Sequence, residues 1–171
     1  MRKRLFKNLL QPPISEAVTA AELEAVGSAL RGVISHTLGR SLAIREVDAG
    51  SCNGCELEIH ALNNPLYDVE RFGIRFVASP RHADALLVTG PVTHNMREAL
   101  ERTFAAVPAP KWVIAAGDCA AGCGVFAGSY ACVGSVAQVI PVDLTIAGCP
   151  PQPLDLLKGL LALMDATNKA A

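Results

Sequence analysis

From Leu23 onward the apolar positions recur every three or four residues. Leu23, Val26, Leu30, Val33 and Ile34 share one face and predict a helix running to about residue 38. Thr19-Ala20-Ala21-Glu22 reads as a capping box at its start, and Gly39 as its stop. Beyond Gly39 the pattern changes to short apolar runs. Strands are predicted at residues 43–47, 74–78, 85–89, 112–116 and 142–147. The run Ala85-Leu86-Leu87-Val88-Thr89 is almost continuously apolar, which suits a strand buried on both faces of a parallel sheet. Helical spacing fills the gaps. Residues 56–62 read as a helix ended by Asn63-Asn64-Pro65. Residues 93–107 place Met96, Leu100 and Phe104 in line. Residues 153 to about 166 carry Leu154, Leu157, Leu160, Leu161 and Leu163 on one face. Strands alternating with helices imply an α/β fold built on a doubly wound parallel sheet. The segment 120–134 is different: it holds four glycines, two cysteines and Ser129-Tyr130, and shows no period. The chain divides into an N-terminal extension and helix, residues 1–40, and an α/β domain, residues 41–171, with no repeat or low-complexity segment.

Composition narrows the function. The chain is 51% hydrophobic and 18% charged, with a net charge of -1. The charged share lies below the roughly 25% usual for soluble domains, so a large face is expected to be buried against partner subunits. A near-neutral balance gives no support to nucleic-acid binding, and two Tyr with one Trp argue against a base-stacking platform. Met1 to Leu10 is basic but lacks the apolar core of an export signal, and no stretch is long and apolar enough to span a bilayer. The expected location is cytoplasmic, with thiols kept reduced. In residues 1–13 four cations interleave with Leu5, Phe6, Leu9 and Leu10. This reads either as a short amphipathic anchor for a membrane surface or partner groove, or as a disordered basic tail.

The six cysteines matter most. Cys52 and Cys55 form a C-x-x-C pair, Cys119 stands in Gly117-Asp118-Cys119-Ala120, and Cys149 in Gly148-Cys149-Pro150-Pro151. Each group follows a predicted strand, which puts the thiols at the sheet edge where open α/β folds build their sites. One local pair and two singles suit a four-iron cubane, whose irons each take one thiolate. Structural zinc favours two short-spaced pairs, and thioredoxin-like dithiol chemistry needs only the first; the spacing leaves both open. Cys123 forms a C-x-x-x-C with Cys119 and is a rival ligand, but it and Cys132 read better as small packing thiols.

Glu56 and Glu58 follow the cysteine pair. A carboxylate there can tune a cluster or carry a proton; the plainer reading is a solvated helix start, where acidic residues suit the helix dipole, and Glu58 is kept as a candidate. His36 reads as a cation at a helix C-terminus. His60, His82 and His94 match no metal spacing and read as structural or surface residues, and Asp118 as a loop cap or a solvated side chain. There is no nucleophile elbow, P-loop or dinucleotide fingerprint, because Gly122-x-Gly124 lacks the third glycine. The chain is expected to move electrons and to make no bonds by itself.

Further pieces carry a family likeness. They are Arg71-Phe72-Gly73-Ile74, Ser79-Pro80-Arg81-His82-Ala83-Asp84, Val88-Thr89-Gly90-Pro91-Val92-Thr93, Pro110-Lys111-Trp112-Val113-Ile114, Ser129-Tyr130 and Pro141-Val142-Asp143, along with the cysteine motifs. Over about residues 42–165 the chain resembles the family shared by the B-type subunit of complex I and the small subunits of membrane-bound nickel–iron hydrogenases. Cys52-Asn53-Gly54-Cys55-Glu56 looks like the hydrogenase pattern, particularly that of formate hydrogenlyase-type, energy-converting group 4 enzymes, because the complex I proteins carry two adjacent cysteines there. The resemblance implies a flavodoxin-like fold without FMN. It also implies a single 4Fe-4S cluster held by Cys52, Cys55, Cys119 and Cys149, with Cys123 standing where many relatives have glycine and Glu58 where complex I relatives have an acidic residue near the cluster. The implied role is an electron relay between ferredoxin-like iron–sulfur subunits and the nickel–iron site of a hydrogenase large subunit. The alternative is a complex I-like relay to quinone, beside a partner resembling the D-type protein of complex I. Integral membrane subunits complete the implied assembly, with this chain peripheral on the cytoplasmic side of the membrane.

Overall fold

A computed structural model describes residues 20–170. The proposed N-terminal anchor and the capping Thr19 lie outside the described residues. Helix α1 (Ala20–Leu38) buries Leu23, Gly27, Leu30 and Ile34. Gly39, at φ +65°, ends it in the left-handed region and donates its N–H to Ser35 O at 3.0 Å. A methyl at Gly27 would overlap the Phe72 ring, so glycine is what lets that ring seat against the helix.

Five parallel strands follow: β1 (Leu42–Asp48), β2 (Ile74–Phe76), β3 (Ala85–Thr89), β5 (Trp112–Ala116) and β7 (Leu144–Ile146). Their spatial order is β2-β1-β3-β5-β7. This order, reversing between β1 and β3, is that of a doubly wound, flavodoxin-like sheet: the alternating pattern implies the first and the family likeness the second. Residues alternate between two cores. Leu42, Ile44, Leu87, Ile114 and Ile146 face α1 and the closing helix α5 (Pro153–Ala170), and Val47, Leu86, Val88, Val113 and Ala115 face Leu100 of α3 (His94–Ala106). Each buried Leu or Ile contributes about 1.5–3 kcal/mol. Lys111 caps α3, its Nζ donating to Phe104 O and Val107 O at 2.6 and 3.1 Å over the Phe104 ring.

The aperiodic segment forms α4 (Asp118–Gly122), a 3-10 turn at Gly124–Phe126 and strand β6 (Cys132–Gly134). Strand β6 pairs antiparallel with β4 (Val92–Thr93). The sequence reading places Thr93 at the start of a helix and misses this pair, because strands of two and three residues carry no period. It also overextends β2 and β7 and ends α5 early. Helix α2 runs Gly54–Ala61, two residues earlier than expected, a shift that matters at the site.

Candidate metal centre

The three cysteine loops leave the carboxyl ends of β1, β5 and β7 and meet above the sheet. The first lies at the reversal of strand order, where doubly wound folds hold their ligands. Its shape is set locally. Asp48 Oδ1 accepts the N–H groups of Gly50 and Ser51, both at 2.7 Å, and Ser51 Oγ accepts that of Asn53 at 3.1 Å. Asn53, at φ +71°, turns the chain into α2. Cys52 is left exposed, and Cys55, in the first turn, is buried. Gly90 after β3 gives room for this loop: a methyl there would meet Ser51 N at under 3 Å.

The second and third loops are laced together. Asp118 donates its N–H to Gly148 O at 2.9 Å and accepts the Gly148 N–H on Oδ1 at 2.8 Å, while Gly117 donates to Ile146 O at 2.8 Å. Of the two readings offered for Asp118, the loop cap is the one found. Cys119 is buried, and Cys149 is exposed ahead of Pro150 and Pro151. Two consecutive left-handed residues, Cys123 at φ +67° and Gly124 at +46°, fold the following turn back over Cys119. A methyl at Gly124 would sit 2.8 Å from Cys119 Sγ, and the Val125 N–H bonds to that sulfur.

Cys52, Cys55, Cys119 and Cys149 thus line one cavity of about 80 Å³, with Gly54, Gly90 and Gly148 between them. Cys123 and Cys132 do not line it; both are half-buried rather than packed away. Among the described residues no three His, Cys, Asp or Glu side chains converge on a point where one metal ion would sit. Four thiols around one cavity match the donor number of a four-iron group, one thiolate to each iron.

Electrostatics agree. Burial pushes the Cys55 thiol up to about 12, and Glu56, Cys119, Cys52 and Cys149 add to the rise. Burial also raises Cys119; the Val125 N–H opposes that, and Cys149, Cys52 and Asp118 reinforce it. Cys55 and Cys119, both held up in this way, resist ionising by themselves, but a bound metal cation offsets the charge and makes thiolate the stable form. The donor set therefore fits an iron–sulfur group.

The carboxylates correct the sequence reading. Glu56 is not a solvated helix-start residue. It is 7% exposed, and neither carboxylate oxygen has a hydrogen-bond partner among the described residues. Because α2 starts at Gly54, Glu56 falls on the inward face with Cys55 and Ile59. It lies near Glu46 of β1, whose carboxyl is raised by burial first and by Glu56 second. Glu58 is half-buried, and His60, His82 and His94 are exposed.

The sequence profile of the NADH ubiquinone oxidoreductase, 20 Kd subunit family matches residues 52–163, from the first cavity cysteine past the last. The chain belongs to that family. Among its relatives in the 20 Kd subunit family is the probable membrane-bound hydrogenase subunit mbhJ of Pyrococcus furiosus. It is 46% identical over 132 residues, 77% of this chain and 79% of the relative. Formate hydrogenlyase subunit 7 of Escherichia coli K12 is 44% identical over 156 residues, and there the chain spans 61% of the relative's length. A B-type subunit of the NADH-quinone oxidoreductase of Herpetosiphon aurantiacus is 41% identical over 88% of this chain and 82% of its own. The fold matches a chain in the structure of the membrane-bound sulfane sulfur reductase, an archaeal respiratory membrane complex. That match has a TM-score of 0.67 and 36% identity, over 76% of this chain and 72% of the other. The relatives are thus subunits of oxidoreductase complexes, as expected from the family likeness.

Proposed function

We propose that this chain is an electron-transfer subunit that holds one 4Fe-4S cluster on Cys52, Cys55, Cys119 and Cys149. It relays electrons between ferredoxin-like subunits and the nickel–iron site of a large subunit in a membrane-bound hydrogenase complex. The observation that carries this reading is the convergence of four thiols from three strand ends on one cavity. The C-x-x-C spacing and the two relatives named for hydrogenase and formate hydrogenlyase complexes favour the hydrogenase branch.

When bound, such a cluster takes up and gives back one electron at a time. The protein's own part is to hold and tune. Cys55, in the first turn of α2, and Cys119, beneath the Gly124 turn, are buried, which limits solvent contact with those two residues. The Val125 N–H on Cys119 Sγ stabilises negative charge there and raises the tendency to accept an electron. Cys52 and Cys149 stay exposed on the outer rim, so an acceptor docked there comes within a short tunnelling distance. Leu57, beside Cys55, and Val125 are 61% and 77% exposed, and Tyr130 on the glycine-rich loop is 95% exposed. Apolar side chains of that size in the open suit coverage by a large subunit. No helix of the described residues is long and apolar enough to cross a membrane. We place the chain peripherally, on the cytoplasmic side of a membrane complex.

A second reading has support from the quinone oxidoreductase relative: the same relay ending on quinone, beside a partner like the D-type protein of complex I. Anaerobic purification of the tagged chain with its native partners separates the two. Four irons per chain, with nickel and hydrogen-driven dye reduction, supports the hydrogenase relay. Iron without nickel or hydrogen activity, but with quinone reduction, supports the second reading. Absence of iron sinks both.

A further inference from the structure

The opposite end of the sheet carries a different feature. At the amino ends of β1, β2 and β3, roughly 20 Å from the thiols along β1, lies an open hollow of about 500 Å³ lined by Arg40, Arg75, Arg81, His82 and Asp84. One of its cations is spoken for. Arg40 donates both guanidinium nitrogens to Asp84, at 2.7 and 2.6 Å, and Asp84 is fixed in turn by the Ala43 N–H at 2.9 Å. Arg75 and Arg81 are exposed, and neither has a carboxylate partner among the described residues. Three guanidinium groups set against the single Asp84 carboxylate, which also feels the Arg75 charge, leave the hollow with an excess of positive charge in a chain whose net charge is -1.

We infer that this hollow receives an acidic protein segment from a neighbouring subunit, with carboxylates seated on Arg75 and Arg81. Guanidinium forks match carboxylates two bonds at a time, as Arg40 and Asp84 already do beside them. Val77 and Ala83 line the hollow beside the arginines, so a protruding loop would find apolar surface next to its carboxylate partners. The inference rests on the reading that the chain works inside a multi-subunit complex. It concerns a contact remote from the thiols, so it fails or stands separately from the electron relay.

The test uses the intact complex carrying Arg75→Lys or Arg81→Lys, treated with a zero-length carbodiimide that joins an amine to a carboxylate. Mass spectrometry is expected to find new cross-links from position 75 or 81 to an Asp or Glu of a second subunit. The charge-reversed double variant, Arg75→Glu with Arg81→Glu, is expected to reduce recovery of the complex by about tenfold at moderate salt. Iron content of the tagged chain reports separately on the thiol site and should hold. Cross-links confined to this chain, or undiminished recovery of the charge-reversed complex, overturn the proposal. So does binding of the isolated full chain to phosphatidylglycerol vesicles that the charge reversal abolishes while no intersubunit cross-link forms.

Discussion

A methyl group built on Gly117 would lie 2.7 Å from the sulfur of Cys55. The end of β5 therefore touches the thiol that β1 delivers, and the first cysteine loop is held against the second with nothing between them. Gly117 also sits at φ +92°, ψ +159°, a region essentially reserved for glycine.

Gly117→Ala is accordingly expected to displace Cys55 and to cost about 2–4 kcal/mol from strain and overlap. Iron bound per chain and the unfolding midpoint should both fall. Full iron content with an unchanged midpoint would show that the contact does not shape the site.

Serine substitution at each of Cys52, Cys55, Cys119 and Cys149 should lower bound iron and alter or abolish the reduced-state paramagnetic resonance signal. Cys123→Ala and Cys132→Ala should leave both intact, since neither lines the cavity. A Cys123→Ala protein that loses its iron would reassign the ligand set.

Asp118 ties the Cys119 loop to the Cys149 loop through Gly148. Asp118→Ala removes the carboxylate half of that tie, with an expected cost of about 1–2 kcal/mol and a faster loss of iron to a chelator. Asp118→Asn keeps an acceptor and should recover most of the retention. Equal rates in all three proteins would reduce Asp118 to a solvated side chain.

Gly124 admits the Cys119 sulfur and positions the Val125 N–H that bonds to it. Gly124→Ala should therefore shift the midpoint potential downward as that bond lengthens. A redox titration followed by paramagnetic resonance measures the shift. An upward shift would contradict the assigned direction.

Acid stability has a clear contributor in Asp84. Burial alone would raise its carboxyl, but the Arg40 guanidinium and the Ala43 N–H outweigh burial and hold it below the ordinary carboxylate value. A depressed carboxyl contributes stability that is complete above its unfolded value, about 3.9, and is lost as the pH falls through the lower folded value. Asp84→Asn should cost about 2 kcal/mol at neutral pH and flatten the decline in stability below about pH 4. A parallel decline in the variant would place the acid-sensitive group elsewhere.

How far these features could be read in advance depends on length and pattern. Five strand positions were legible because residues such as Ala85 to Thr89 are buried on both faces and so carry an unbroken apolar signal. Four cavity thiols were legible because each group follows a short run with strand character, even where charged or exposed residues interrupt it, as in β1 and β7. Strands β4 and β6 were not, since Val92 to Thr93 and Cys132 to Gly134 are held by pairing with each other rather than by any local preference. The inward turn of Glu56 was hidden for a related reason. The phase of α2 is set by the left-handed Asn53 and the Ser51 and Asp48 turn before it, which fixes the start two residues upstream of the apolar pattern. The basic hollow was out of reach because Arg40, Arg75 and Arg81 meet only once β1, β2 and β3 are side by side.

The order of the strands also has a bearing on biosynthesis. Cys149 follows β7, the last strand among the described residues and an edge of the sheet, and that strand docks only on β5. A growing polypeptide therefore emerges from the ribosome with three of the four cavity thiols and an unfinished rim, and any nascent fragment that stops before Leu144 lacks both Cys149 and the Ile146 and Gly148 carbonyls that hold the Cys119 loop. For a metal group held on the four thiols as proposed, the complete donor set exists only once β7 and the loop after it have been made and that one short edge strand has docked on β5.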